Sequence, residues 1–116
     1  MNDSSRSTVM APAEVAVVDQ LVKVAPEAIV SRVLARSPGG SVTMFAFAAG
    51  QELLEHTAPF DALVHVTSGR LELTIGGKPV TVNGGEIVLM PAGVPHALRA
   101  AADSTMLLTM MRGQGE

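Results

Sequence analysis

Two histidines are the residues in this chain best suited to chemistry, His56 and His96. An imidazole can coordinate a metal, exchange a proton near neutral pH, or hydrogen-bond from either ring nitrogen. His56 stands among other polar groups: Gln51, Glu52, Glu55 and Asp61 lie close by in sequence. On a regular strand Glu52 and Leu54 would share the face of His56, and Glu55 would point away. Asp61 reaches inward only if the turn at Pro59 re-aims it. Gln51 and Asp61 are therefore the candidates to join the two histidines in a ligand-binding site. The third histidine, His65, alternates with Val64 and Val66 and is expected on an outer surface or a subunit contact.

Other chemistries find no support. The chain has no Cys, which removes disulfides, thiolate ligands and Cys nucleophiles. Ser41, Ser68 and Ser104 lack the Gly-flanked elbow of a Ser-His-Asp enzyme. Gly76-Gly77 and Gly84-Gly85 are hairpin turns that precede no helix, so they are not phosphate-binding loops. Glu72 and Glu86 are expected to be solvated.

The elements that must hold the histidines are short strands. Runs at Ile29–Ala35, Val42–Ala48, Ala62–Thr67, Leu71–Ile75, Pro79–Val82, Glu86–Met90, Ala97–Ala100 and Thr105–Met111 are separated by Gly or Pro turns. That rhythm predicts an all-β sandwich or barrel of antiparallel strands. Leu71–Ile75 and Pro79–Val82 around Gly76-Gly77 form a hairpin. Val42–Ala48 is apolar on both faces, as a strand covered on both sides requires. Residues 13–24 read either as an amphipathic helix or as a strand, with the strand preferred at 21–24, stopped by Pro26. Residues 1–12 form an N-terminal tail, 13–112 a single domain and 113–116 a C-terminal tail.

Composition narrows the class. Of 116 residues, 47% are hydrophobic and 16% charged, a profile that buries a core and is unlike disorder. With three Phe and no Trp or Tyr, the core must be aliphatic, and the seven Met fill irregular space. A net charge of −3 without Lys/Arg runs excludes nucleic acid as the expected partner. No stretch approaches the roughly 20 apolar residues of a membrane-spanning helix. The polar first residues do not resemble a secretory signal, so a cytoplasmic protein is expected.

Two segments together resemble the signature of the cupin family. Gly50, His56 after five residues, and Gly69 match the start and end of its first motif. Gly85, Pro91, Gly93 and His96 match the second in register. The resemblance spans residues 28–112 and implies a jelly-roll barrel, the antiparallel double-stranded β-helix. It also implies one divalent metal (Fe, Mn, Ni or Zn) on three His and one Glu. Here Ala58 stands at the second His of the first motif, Ala62 at the Glu, and Ala100 at the final Asn of the second motif. His56 and His96 are thus the metal candidates the resemblance retains.

Three readings of the pair stay open: metal ligands, polar groups of a bare pocket, or a structural contact. The corresponding functions are a metal-dependent enzyme of oxygenase or isomerase type acting on a small molecule, and a non-catalytic ligand-binding or sensing module. The residues do not decide between enzyme and binder. A homodimer is expected, with Leu21–Val24 and Val42–Ala48 as candidates for its two-fold contact.

Overall fold

In the computed structural model residues 9–112 are described. Residues 1–8 of the expected N-terminal tail and the whole expected C-terminal tail, 113–116, lie outside them. Nine strands follow one another: β1 (Ile29–Ser37), β2 (Gly40–Phe47), β3 (Glu52–His56), β4 (Asp61–Ser68), β5 (Arg70–Ile75), β6 (Lys78–Asn83), β7 (Ile87–Met90), β8 (His96–Ala100) and β9 (Ser104–Met111). They build a five-stranded sheet in the order β1-β2-β9-β4-β7 and a four-stranded sheet in the order β3-β8-β5-β6. All pairings are antiparallel. This is the all-β antiparallel architecture expected from the turn rhythm, arranged as the jelly-roll that the resemblance implies.

Alternation explains the core. Ala62, Val64 and Val66 of β4, Leu71 and Leu73 of β5, Leu98 and Ala100 of β8, and Met106 of β9 converge between the sheets with Phe47. Their β-branched and aliphatic side chains fit a pleated, two-sheet interior.

The strand β2 feeds two clusters at once. Phe45 and Phe47 face the inter-sheet core, while Met44 and Ala46 face the other way and are fully buried. What covers them is the chain's own leading segment, through Leu21, Val22 and Val24, with Leu34 of β1. The expected strand at 21–24 is therefore corrected. Residues Val18–Gln20 form a 3-10 turn, and the residues after it run as an irregular cover. Their apolar side chains cover the outer face of β2. Part of each segment expected at a two-fold contact, Leu21, Val22 and Val24 on one side and Val42, Met44 and Ala46 on the other, belongs to one cluster within the chain.

The N-terminal cover is held by polar contacts too. Met10 donates its N–H to the Leu34 carbonyl at 2.9 Å. Arg32 reaches the Leu21 carbonyl at 3.4 Å. Among the described residues, no helix is long and apolar enough to cross a membrane.

Register places the two histidines. His56 pairs with His96 at one end of the four-stranded sheet, and Ile75 lies on the other side of His96. In the facing sheet, the run Gly40, Met111, Asp61 marks the same end, because only residues 57–60 link His56 to Asp61.

Candidate functional site

Because β3 is not regular, His56 lies on the core-side face of its strand, though its side chain remains exposed at the strand end. Leu53 pairs with Leu98 and His56 with His96, so three steps on β3 oppose two on β8. The bulge inserts one extra residue and reverses the alternation beyond it. His56 thus shares the face of Leu53, which packs on the core. The expectation that Glu52 and Leu54 share its face is corrected. Glu52 pairs with Arg99 on the outer surface, and Leu54 is 77% exposed.

His96 arrives from a loop tied at several points. The Ala92 N–H donates to Asp61 Oδ1 at 2.8 Å. The Gly93 N–H donates to the Ala58 carbonyl and the Gly76 N–H to the Pro95 carbonyl, both at 2.8 Å. Gly93 itself has φ +76, a left-handed conformation that glycine tolerates best. This frame leaves His96 only 8% exposed at the start of β8.

The two rings meet at their Nε2 atoms, 3.1 Å apart, with centroids 4.3 Å apart and planes at 71°. Behind them, His56 Nδ1 lies 3.0 Å from the Leu54 carbonyl oxygen and His96 Nδ1 lies 3.3 Å from the Val94 carbonyl oxygen. A carbonyl only accepts, so each Nδ1 contact needs an N–H, and the Nε2 contact needs a third. Two neutral imidazoles supply two. The pair is therefore one hydrogen short. It is completed by a third proton, by a donor group that presents its hydrogen to the Nε2 atoms, or by a cation that takes their lone pairs.

The other sequence candidates stand elsewhere. Gln51 sits at the far end of β8, where its carbonyl accepts from the Ala100 N–H at 2.9 Å. Four strand residues, about 13 Å, separate that position from His96. Asp61 lies at the right end of the fold, but its carboxylate is turned to the Ala92 N–H. It serves the turn that presents His96. His65 projects from the outer face beside Ile87 and Leu107, as expected. Glu72 is solvated and lies 3.5 Å from Arg99.

The Asp61 contact carries a prediction. Asp61→Ala should lower stability by about 1 kcal/mol, the worth of one charge-assisted hydrogen bond to a partly solvated N–H. Thermal melts of the two proteins check it; an unchanged melting temperature would show that the turn holds without its cap.

These features coincide with relatives in sequence and structure. A family model described as the cupin domain matches residues 43–112. This chain belongs to the cupin family. No curated protein matches it in sequence. The cupin is similar to a conserved protein of unknown function from Streptococcus pyogenes: 34% identity, TM-score 0.85, covering 91% of this chain and 93% of that one. It is also similar to a cupin 2 conserved barrel domain protein from Leptotrichia buccalis at 35% identity and TM-score 0.77. That match covers 80% of this chain and 45% of the other. A cupin superfamily protein from Desulfitobacterium hafniense shares the fold at 19% identity, with TM-score 0.83.

The metal that the family implies can be tested against the donor set. Among the described residues, no group of three or more His, Asp or Glu could hold a metal ion. Ala62, at the motif's Glu position, is 4% exposed in the core, and the carbonyl of Ala58 is spent on Gly93. Two imidazoles fall short of the three protein ligands usual at a catalytic centre. The residues present do not fit that metal site.

A second feature shares this end of the fold, and nothing in the sequence reading singled it out. A cavity of about 330 Å³ opens beside the β1–β2 hairpin, with Arg36, Phe60 and Arg112 in its wall. Its residues come from four separate segments and follow no motif.

Proposed function

We propose that this chain is a small-molecule-binding cupin, with residues 13–112 as one barrel domain. In this reading it acts as a ligand-binding module, and the His56–His96 pair anchors the ligand by hydrogen bonds. The observation that carries the reading is the hydrogen deficit of the pair. Three contacts share two N–H groups, so a ligand hydroxyl or N–H completes the set. Sites of this type combine apolar walls with a few placed polar groups. Leu53, Ile75 and Leu98 supply such walls beside the imidazoles. The replaced motif positions, Ala58 and Ala62, support binding without a metal.

The test is a thermal-shift screen of sugars, small acids and aromatic compounds in EDTA, repeated on His96→Ala. Stabilisation by a compound in EDTA, reduced about tenfold in affinity in His96→Ala, is the expected result, since one hydrogen bond to such a group is worth about 1.5 kcal/mol. Stoichiometric binding of Zn, Ni, Mn or Fe(II) at micromolar affinity, abolished by His56→Ala, would overturn it in favour of a metal-dependent enzyme.

A further inference from the structure

We infer that the cavity beside the β1–β2 hairpin is a carboxylate subsite, and that the ligand class of this cupin is the small organic acid. The inference deepens the proposed binding function but stands on different residues from the histidine pair.

The cavity, about 330 Å³, is walled by the β1–β2 hairpin, the end of β9 and the link before β4. That volume lies within the range of small-ligand sites. Two guanidiniums, Arg36 and Arg112, line it, and among the described residues no Asp or Glu does. In a chain of net charge −3, two cations facing one concave space make a local positive site. Arginine suits such a site because its planar fork matches a carboxylate with two parallel N–H donors.

The surroundings position these groups. The Arg112 guanidinium lies over the Phe60 ring, 4.8 Å from its centroid. The Arg112 N–H is bonded to the Gly39 carbonyl at 2.9 Å. Stacking occupies the face of the guanidinium and leaves its N–H edge for a planar acceptor. Across the cavity, Ser41 and Thr43 bring hydroxyls, and among the described residues no hydrogen bond engages either. Met110 and Phe60 provide an apolar wall. A bulge in β1 between Val33 and Ala35 bends the hairpin, sending Leu34 into the outer cluster.

The position of the cavity ties it to the first site. Phe60 lies in the four-residue link between His56 and Asp61. Register sets Gly40, Met111 and Asp61 at the same end of the fold as His56 and His96. The combined chemistry describes a carboxylate on a compact apolar body that also carries a hydrogen-bond donor.

Benzoate and its neutral isostere benzamide test the carboxylate subsite, by calorimetric titration of the full chain. Benzoate should bind at least tenfold more tightly than benzamide, because a charge-assisted bond is worth about 1.5–3 kcal/mol. Arg36→Gln and Arg112→Gln should each weaken benzoate by about tenfold and leave benzamide unchanged. Arg36→Lys should recover part of the loss, since it keeps the charge and gives up the fork. Equal affinity for the two probes, no benzoate binding at about 10 mM, or full benzoate affinity in the Arg36→Gln/Arg112→Gln double variant would each overturn the subsite. Those outcomes leave the proposed function standing if a neutral compound still binds wild type and loses affinity in His96→Ala. Benzoate carries no O–H or N–H donor, so its affinity reads the arginines alone; a neutral donor-bearing compound that binds wild type and His96→Ala equally would instead retain the subsite and refute the histidine anchor.

Discussion

Gly69→Ala is expected to lower the unfolding free energy by about 3 kcal/mol, roughly the sum of left-handed backbone strain and overpacking. Gly69 joins β4 to β5 with φ +84. A Cβ there would overlap the Asp103 carbonyl oxygen and the Ser104 Oγ, and approach the Ser104 Cα to 2.7 Å. Ser104 cannot easily yield. It is fully buried; its hydroxyl accepts from the Arg70 N–H at 2.9 Å and lies 2.7 Å from the Ala102 carbonyl. Moving it aside would strip a buried N–H of its partner, so strain and lost bonding act together. Gly93→Ala is the control. Its φ is +76, but no atom lies within 4 Å of the added Cβ, so only the backbone cost of about 1–2 kcal/mol applies. In thermal melts Gly69→Ala should fall by about 10 °C or more and Gly93→Ala by about half of that. Equal shifts for the two would show that the Ser104 contact is slack.

Eight of the nine strands were legible because each depends on a local signal; β3 (Glu52–His56), with one apolar pair among charged residues, was not among the runs. Alternation fixes which side of a strand is buried. Paired glycines do not by themselves fix hairpins: Gly84-Gly85, expected as a hairpin turn, instead carries the chain from β6 in the four-stranded sheet to β7 in the five-stranded one. The β5–β6 hairpin follows from Gly76-Gly77, both with positive φ. The covered nature of β2 was legible from its two apolar faces, but not what covers it. That depends on long-range packing of residues 21–24, whose alternation is the same whether they pair as a strand or lie across one. The histidine pair was legible from motif spacing. Its geometry was not, because the β3 bulge changes which residues accompany His56, and no residue between Leu53 and His56 announces an irregular step. Gln51 was placed near His56 by sequence distance, yet a strand carries it to the opposite end. The arginine cavity was invisible for the same reason: Arg36 and Arg112 are 76 positions apart in number, and only closure of β2 onto β9 brings their segments together.

Phe47→Ala should cost about 3–5 kcal/mol, the range for truncating a buried aromatic. Phe47 is fully buried, and its ring stacks on Phe45 with centroids 5.9 Å apart. The size of the cost depends on how far neighbours can close the cavity. Ser104, which pairs with it on β9, is small, while Met90 and Met106, in the same cluster, are flexible enough to swing partly into the space. A domain stabilised by about 5–15 kcal/mol loses about a fifth or more of its margin through this one side chain. Phe47→Leu, which keeps most of the volume, should recover the larger part. The substitution also separates folding from binding. Phe47 pairs with Ser104 and Ile29 at the end of the five-stranded sheet opposite Gly40, whereas the histidines and the arginine cavity share the Gly40 end. Urea titrations should therefore show a lower midpoint with an unchanged slope. Benzoate affinity, measured where the variant is still folded, should match wild type. A variant that keeps its midpoint would refute the core assignment; one that unfolds less readily than expected but loses benzoate would show that the two ends are mechanically coupled.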